Sequence, residues 1–278
     1  MANVLRREKQ EQVIGSLVEG ASVRATERIT GVHRDTIIRL MLRVGAGCEA
    51  LMDRQMCNLR CSRIQVDEIW GYVAKKQRHV RWSDDVTQVG DFWTFVALDA
   101  DSKLIPAFLI GKRTRESAHI FMADLARRVS GRIQLSTDSL AAYVDAVDAA
   151  FGTNVDYGQI VKPYEAEPVE PGRYSPPRVV SATRMAVWGH PDPEHISTSY
   201  VERNNLTMRM QVRRLTRLTN CIFKDGGKPA GAGVAALRAL QLRPAAPNDS
   251  CDSCNACGRD GPRVESARAA GRSAVGAN

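Results

Sequence analysis

The sequence predicts an α/β protein: a mixed sheet in the order βββαβαβ, followed by a helix and preceded by a small all-α unit. Three observations carry this. Residues 64–73, IQVDEIWGYV, alternate apolar and polar side chains in the period of a strand. Residues 116–129 place Ile120, Leu125 and Val129 at helical spacing. From there strands and helices alternate, which builds a sheet with helices packed on its faces.

The bounds agree with one sizeable core and a small accessory domain, at 278 residues. A net charge of +8 favours an anionic partner such as nucleic acid. With 44% apolar and 25% charged residues the composition is that of a globular protein. No run of 18 apolar residues argues for a membrane span. The N-terminal MANVLRREKQ has no apolar signal segment, so a cytoplasmic protein is expected. The 7 cysteines are an odd number in loose groups, which reads as thiols or metal ligands rather than a disulfide framework.

Residues 1–45 read as three short helices. Leu5–Leu17 carries Val13 and Leu17. Ser22 caps Val23–Thr30, and after a turn at Gly31-Val32 the helix His33–Arg43 turns Ile37, Leu40 and Met41 inward. SVRATERITGVHRDTIIRL resembles a helix-turn-helix, whose second helix enters the major groove of DNA. Arg34, Asp35, Ile38 and Arg39 are then the groove-facing candidates; the alternative is a plain bundle used for packing or dimerisation. Residues 46–63 read as a connector. Cys57 and Cys61 there lack a matching pair at finger spacing, so free thiols are expected.

The strand at 64–73 is followed by polar loop residues up to Gly90, a strand at Trp93–Leu98, a turn at Asp99–Ser102 and a strand at Leu104–Ile110. Short connections make these three antiparallel neighbours. A helix at Glu116–Val129, a strand from Arg132 to Ser136 ending at Asp138, a helix at Tyr143–Phe151 and a strand at Val155–Val161 complete the sheet. Residues 163–195, rich in proline, read as a loop or insertion over the site.

Ile196–Thr219, ISTSYVERNNLTMRMQVRRLTRLT, reads as one helix capped by Thr198 or Ser199. Leu206, Met210 and Leu215 are its core candidates. Its one carboxylate, Glu202, is followed by Arg203, Arg209, Arg213, Arg214 and Arg217, a stripe suited to phosphates.

Asp67 lies in mid-strand, where a charge needs a partner. Asp138 ends the fourth strand, which neighbours the first in this topology, so the two carboxylates can meet. Close carboxylates repel unless a cation neutralises them. Oxygen ligands select Mg²⁺ or Mn²⁺, and such ions serve phosphodiester chemistry. Glu202 would complete the site from the helix. Asp99 and Asp101 rank lower because they lie in the turn after the second strand. Glu68 is expected to point to the opposite face by strand alternation. For each aspartate alone, a turn or capping role is the alternative.

QVDEIW at 65–70, TDSLAAY at 137–143 and HISTSYVERNNLTMRM at 195–210 together resemble bacterial insertion-sequence transposases of the DDE class, with the closest look to the insertion-sequence-one group. The likeness runs from the helix-turn-helix to about residue 223. It implies a ribonuclease-H-like catalytic domain over 64–223, Mg²⁺ dependence, DNA cleavage and strand transfer. The partners implied are double-stranded DNA, as terminal inverted repeats and target, and further copies of the chain on that DNA. Asp67, Asp138 and Glu202 take the positions of the triad. Tyr200, Arg203 and Asn204 would position the glutamate or contact DNA. Trp70 is read as packing in the core.

After Phe223 the apolar rhythm fades and Cys251, Cys254 and Cys257 appear as C-x-x-C-x-x-C, three thiols without a fourth ligand. The resemblance implies a different continuation, of the form Y-N-F-x-R-x-H. Permissible codons for Leu240–Ala256, read one nucleotide later, give such a segment. A frame change shortly after Phe223 is therefore expected, with residues 224–278 a disordered tail. The leading reading is a transposase. The alternatives are a DNA-binding protein without catalysis, an inactive truncated remnant of a transposase, and a stand-alone nuclease.

Overall fold

β1 (Arg63–Val73) is the strand about which the sheet is built. It pairs antiparallel with β2 (Gly90–Asp99), and β2 pairs antiparallel with β3 (Phe108–Gly111). On its other side β1 pairs parallel with β4 (Ile133–Asp138), and β4 pairs parallel with β5 (Val155–Val161). Helix α1 (Arg7–Val18), α2 (Val23–Thr30) and α3 (Arg34–Gln55) precede the sheet. Helix α4 (Arg115–Arg128) links β3 to β4, and α5 (Ala141–Phe151) links β4 to β5. The protein is seen here as a computed structural model that describes residues 4–165, 178–179, 181–212 and 215.

The sheet has a sixth strand. After the short pair β6 (Tyr164–Glu165) and β7 (Arg178–Val179), β8 (Thr183–Trp188) runs antiparallel to β5, giving the order β3-β2-β1-β4-β5-β8. Residues 163–195 are therefore not all loop. The strand lies at the edge of the sheet and carries no sequence signal. Thr183 to Ala186 are exposed on both sides, so no alternation marks it, and only Val187 and Trp188 turn toward the core. The Trp188 ring lies 5.1 Å from that of Tyr157.

The two faces of β1 have separate cores. Ile64 and Val66 face α4 and α5, where they join Phe95, Leu135, Phe121, Met122, Leu125, Tyr143 and Val147. Ile69, with Val96 and Leu98, faces α6 (Ser199–Gln211), the last helix among the described residues, through Val201, Met208, Val212 and Leu215. Each such side chain contributes about 1.5–3 kcal/mol by leaving water. On α4 the inward side chains are Ala118, Phe121, Met122 and Leu125, whereas Ile120 is exposed. The expected inward trio was one residue out of phase at its start.

The N-terminal helices have a small core of their own: Val13, Leu17, Val32, Ile37, Leu40 and Met41. Ser22 caps α2 by accepting from the Ala25 N–H at 3.1 Å, and Gly31 takes the left-handed conformation that ends it. α3 runs to Gln55, well past Arg43, so the first part of the connector is helical. Ala46, Ala50, Leu51 and Met52 are strong helix formers and no proline intervenes. Its far end is tied to α4: Arg128 is buried and donates to Asp53 at 2.5 Å and to Asp124 at 2.8 Å. Among the described residues Cys57 and Cys61 are free thiols. Among the described residues no helix is long and apolar enough to cross a membrane.

α6 is shorter than the helix read at Ile196–Thr219. It ends at Gln211, where Val212 turns extended to enter the core. Its inward face is Val201, Asn205 and Met208; Leu206 and Met210 are exposed, and only Leu215 of the expected trio is buried. Arg213, Arg214 and Arg217, the cysteine triplet and the segment 224–278 lie outside the described residues.

Candidate metal centre

The β1–β4 pairing fixes the two aspartates. Its register sets Gln65 opposite Ser136, so two residues further on Asp67 and Asp138 stand on adjacent strands at the same level. Their carboxylates, with that of Glu68, lie within 4.8 Å of one another. Opposite ligands of one Mg²⁺ are about 4.2 Å apart, so contraction by roughly half an ångström would seat an ion. The donors are all carboxylate oxygens, which suits Mg²⁺ or Mn²⁺.

Glu68 is the correction to the sequence reading. Alternation does send it toward the α5 face, where Tyr143 Oη donates to its Oε1 and Arg113 Nη2 approaches its Oε2 at 3.1 Å. Yet its longer side chain carries the carboxylate back to the level of the aspartates. Side-chain reach, not strand period, decides which groups meet here.

The electrostatics are those of buried carboxylates that the neighbouring cations offset only in part. Burial, helped by the nearby Asp138 and Glu202 charges, pushes the Asp67 carboxyl up to about 6. Burial and the Asp138 charge push Glu68 up to about 7. Asp138 is also raised, mainly by burial, although the Leu140 N–H and the cations Arg113 and Lys162 pull the other way. Tyr143 is fully buried and held well above its usual range, so it keeps its proton and donates it toward Glu68. Among the described residues Arg113, 3.5 Å from Asp138 Oδ2, is the nearest compensating charge, and it lies over the Trp93 ring at 4.8 Å.

α6 faces this cluster because β1 holds its first turn. Gln65 Oε1 accepts from the Tyr200 N–H at 2.9 Å and the Val201 N–H at 3.1 Å, the donors a helix start leaves free. Thr198 occupies the capping position but does not cap; its hydroxyl goes to Glu202 Oε1 at 2.6 Å. Glu202 is within electrostatic reach of Asp67 and Asp138 but outside the close cluster, and it pairs with Lys162. One turn on, buried Asn205 donates from Nδ2 to Asp67 Oδ2 at 2.8 Å, while its Oδ1 has no partner among the described residues. Gln65 and Asn205 were missed by the sequence reading. Asn205 could have been found from the phase of α6, three residues from Glu202 and four from Val201.

The remaining candidates divide. Arg203 is exposed, and Asn204 is half-buried with Nδ2 against Met208 Sδ at 3.4 Å. Arg209 Nη1 turns back to the Leu215 carbonyl at 3.1 Å and the Trp70 carbonyl at 3.5 Å, so it serves the end of α6. Arg34 and Arg39 are exposed on α3. Asp99 faces Ile64 and Asp67 faces Val96, which keeps Asp99 at the other end of β1; it binds Ser102, and Asp101 pairs with Arg63. No protein-family model matches the chain, and no curated protein matches it.

Proposed function

We propose that this chain is a DDE-type transposase with a ribonuclease-H-like catalytic domain. The observation that carries the reading is the juxtaposition of Asp67, Glu68 and Asp138 at one level of adjacent parallel strands, under a helix that presents Glu202 and Asn205. Two antiparallel pairs followed by two parallel ones, in the order β3-β2-β1-β4-β5, support the fold assignment. Raised carboxyl pKa values in one cluster support a site built for a cation rather than for stability.

A bound Mg²⁺ or Mn²⁺ supplies activation of the attacking hydroxyl and stabilisation of the departing oxygen in phosphodiester cleavage. Asp67 and Asp138 would hold it, with Glu68 or Glu202 as the third carboxylate. Asn205 orients Asp67 through its Nδ2, and Gln65 fixes the angle at which α6 brings Glu202 to the sheet. Tyr143 keeps a proton on the Glu68 side, and Arg113 offsets part of the cluster's charge. Exposed Arg203 on α6 is suited to a DNA phosphate beside the site, as are Arg34 and Arg39 on α3 to a separate stretch of duplex. Arg213, Arg214 and Arg217, outside the described residues, are phosphate candidates on the sequence alone.

A second reading, DNA binding without catalysis, is favoured by the pairing of Glu202 with Lys162. One assay separates the two. The full chain is given Mg²⁺ and DNA bearing the terminal inverted repeats from beside its gene. Nicking at the repeat ends that Asp67→Ala, Asp138→Ala and Glu202→Ala each abolish supports the transposase. Tight binding with no nicking by the wild type supports the second reading.

A further inference from the structure

The connection between β1 and β2 carries a side chain that the carboxylate site does not use. Trp82 stands there 98% exposed. Tryptophan is highly buried on average. The segment holding it is well tied. Lys75 Nζ binds both oxygens of Asp84 at 2.8 Å, and the Arg81 N–H donates to Asp84 Oδ2 at 2.6 Å. Gln77 and Asp91 exchange hydrogen bonds of 2.9 and 3.3 Å. Lys112 Nζ closes the base through the carbonyls of Val89 at 2.6 Å and Asp91 at 3.0 Å. Gly90, at φ +91 and packed against Gln77, permits the return into β2. Trp82 is thus presented on a pinned loop, not on a frayed end.

The surroundings say what fits it. Lys76, Arg78, His79 and Arg81 are exposed on the same loop. Lys76 lies over the Trp70 and Tyr72 rings at 5.8 and 6.0 Å. The nearby acids are engaged: Asp84 with Lys75, and Asp85 with Thr87. Val86 is the one other large exposed apolar side chain in this loop among the described residues, too little for an apolar protein interface. A bare aromatic ring on a loop that also exposes Lys76, Arg78 and Arg81 matches a base flanked by phosphates. In an intact duplex the base faces are covered by their neighbours, so the ring needs an unpaired or extruded base. β1 runs six residues past Asp67, which sets the loop about 20 Å beyond the carboxylates.

We propose that Trp82 is a stacking wedge for an unpaired base of DNA, with Lys76, Arg78 and Arg81 on the adjoining phosphates. This rests on the nucleic-acid reading above but not on catalysis, so it is tested without metal. Full-length wild type, Trp82→Ala and Trp82→Phe are titrated into a labelled 20-nucleotide oligo-dT and a 20-base-pair duplex in EDTA. Removing the ring should weaken oligo-dT binding about 5- to 100-fold, with Phe restoring most of it, and should change duplex binding less than about 2-fold. Iodide quenching of the fluorescence lost in Trp82→Ala should fall when oligo-dT saturates the wild type. Equal oligo-dT affinity of wild type and Trp82→Ala overturns the wedge while leaving the transposase reading in place. Loss of self-association in Trp82→Ala with unchanged DNA affinity assigns the ring to a contact between copies and also overturns it. Failure of the wild type to bind either DNA overturns both readings.

Discussion

Replacing Asp67 by asparagine removes a charge that the fold holds at a loss. Burial beside Asp138 and Glu202 raises this carboxyl from 3.8 to about 6. That gap corresponds to about 3 kcal/mol against the ionised form at neutral pH. Asp67 keeps some solvent contact, so about 1.5–3 kcal/mol is the working range. The amide suits the site: Asn205 can still donate to its oxygen, and Asn205 Oδ1, without a partner among the described residues, can accept from its nitrogen after reorientation. A folded-state pKa raised above the unfolded one means that stability is fully present below about 3.8 and is lost as pH rises through about 6. Asp67→Asn should therefore match the wild type near pH 4 and exceed it at pH 7.5 in EDTA. The expected gain in melting temperature is roughly 3–12 °C. Calorimetry or urea unfolding across that pH range reads it. A variant no more stable than the wild type at pH 7.5, or a difference independent of pH, would refute the argument that the cluster is electrostatically strained.

Two further substitutions probe the supports of the site. Asn205→Ala removes the hydrogen bond that orients Asp67, and should weaken Mn²⁺ binding about 10- to 100-fold while the circular dichroism spectrum stays that of the wild type. Gln65→Leu leaves two N–H groups at the start of α6 without an acceptor, and should destabilise the fold by about 1–3 kcal/mol in urea unfolding.

Much of the frame was legible because it obeys local rules. The alternation in 64–73, the cap at Ser22 and the glycine at 31 are each decided by a few residues. The meeting of Asp67 and Asp138 followed from topology alone, since the first and fourth strands of a βββαβαβ sheet are neighbours. What escaped depended on tertiary placement. β8 is an edge strand whose exposed side chains carry no alternation. The phase of α6 was misread because Leu206 and Met210 are apolar yet exposed, while the polar Asn205 takes the inward position. Glu68 was set aside on strand period, which fixes where a Cβ points but not where a longer side chain ends. Arg209 looked like one of a row of phosphate ligands, and the end of α6 instead engages it through carbonyl oxygens.

The central claim is that the carboxylates of β1 and β4 form one divalent-cation site. Mn²⁺ titration of the full chain at pH 7.5, followed by electron paramagnetic resonance, tests it most directly. The wild type should take up Mn²⁺ with an affinity that falls as pH is lowered through about 6, the value to which Asp67 is raised. The Asp67→Asn/Asp138→Asn double variant should lose that uptake while remaining folded. Uptake unchanged in the double variant, or none by the wild type, would contradict the account.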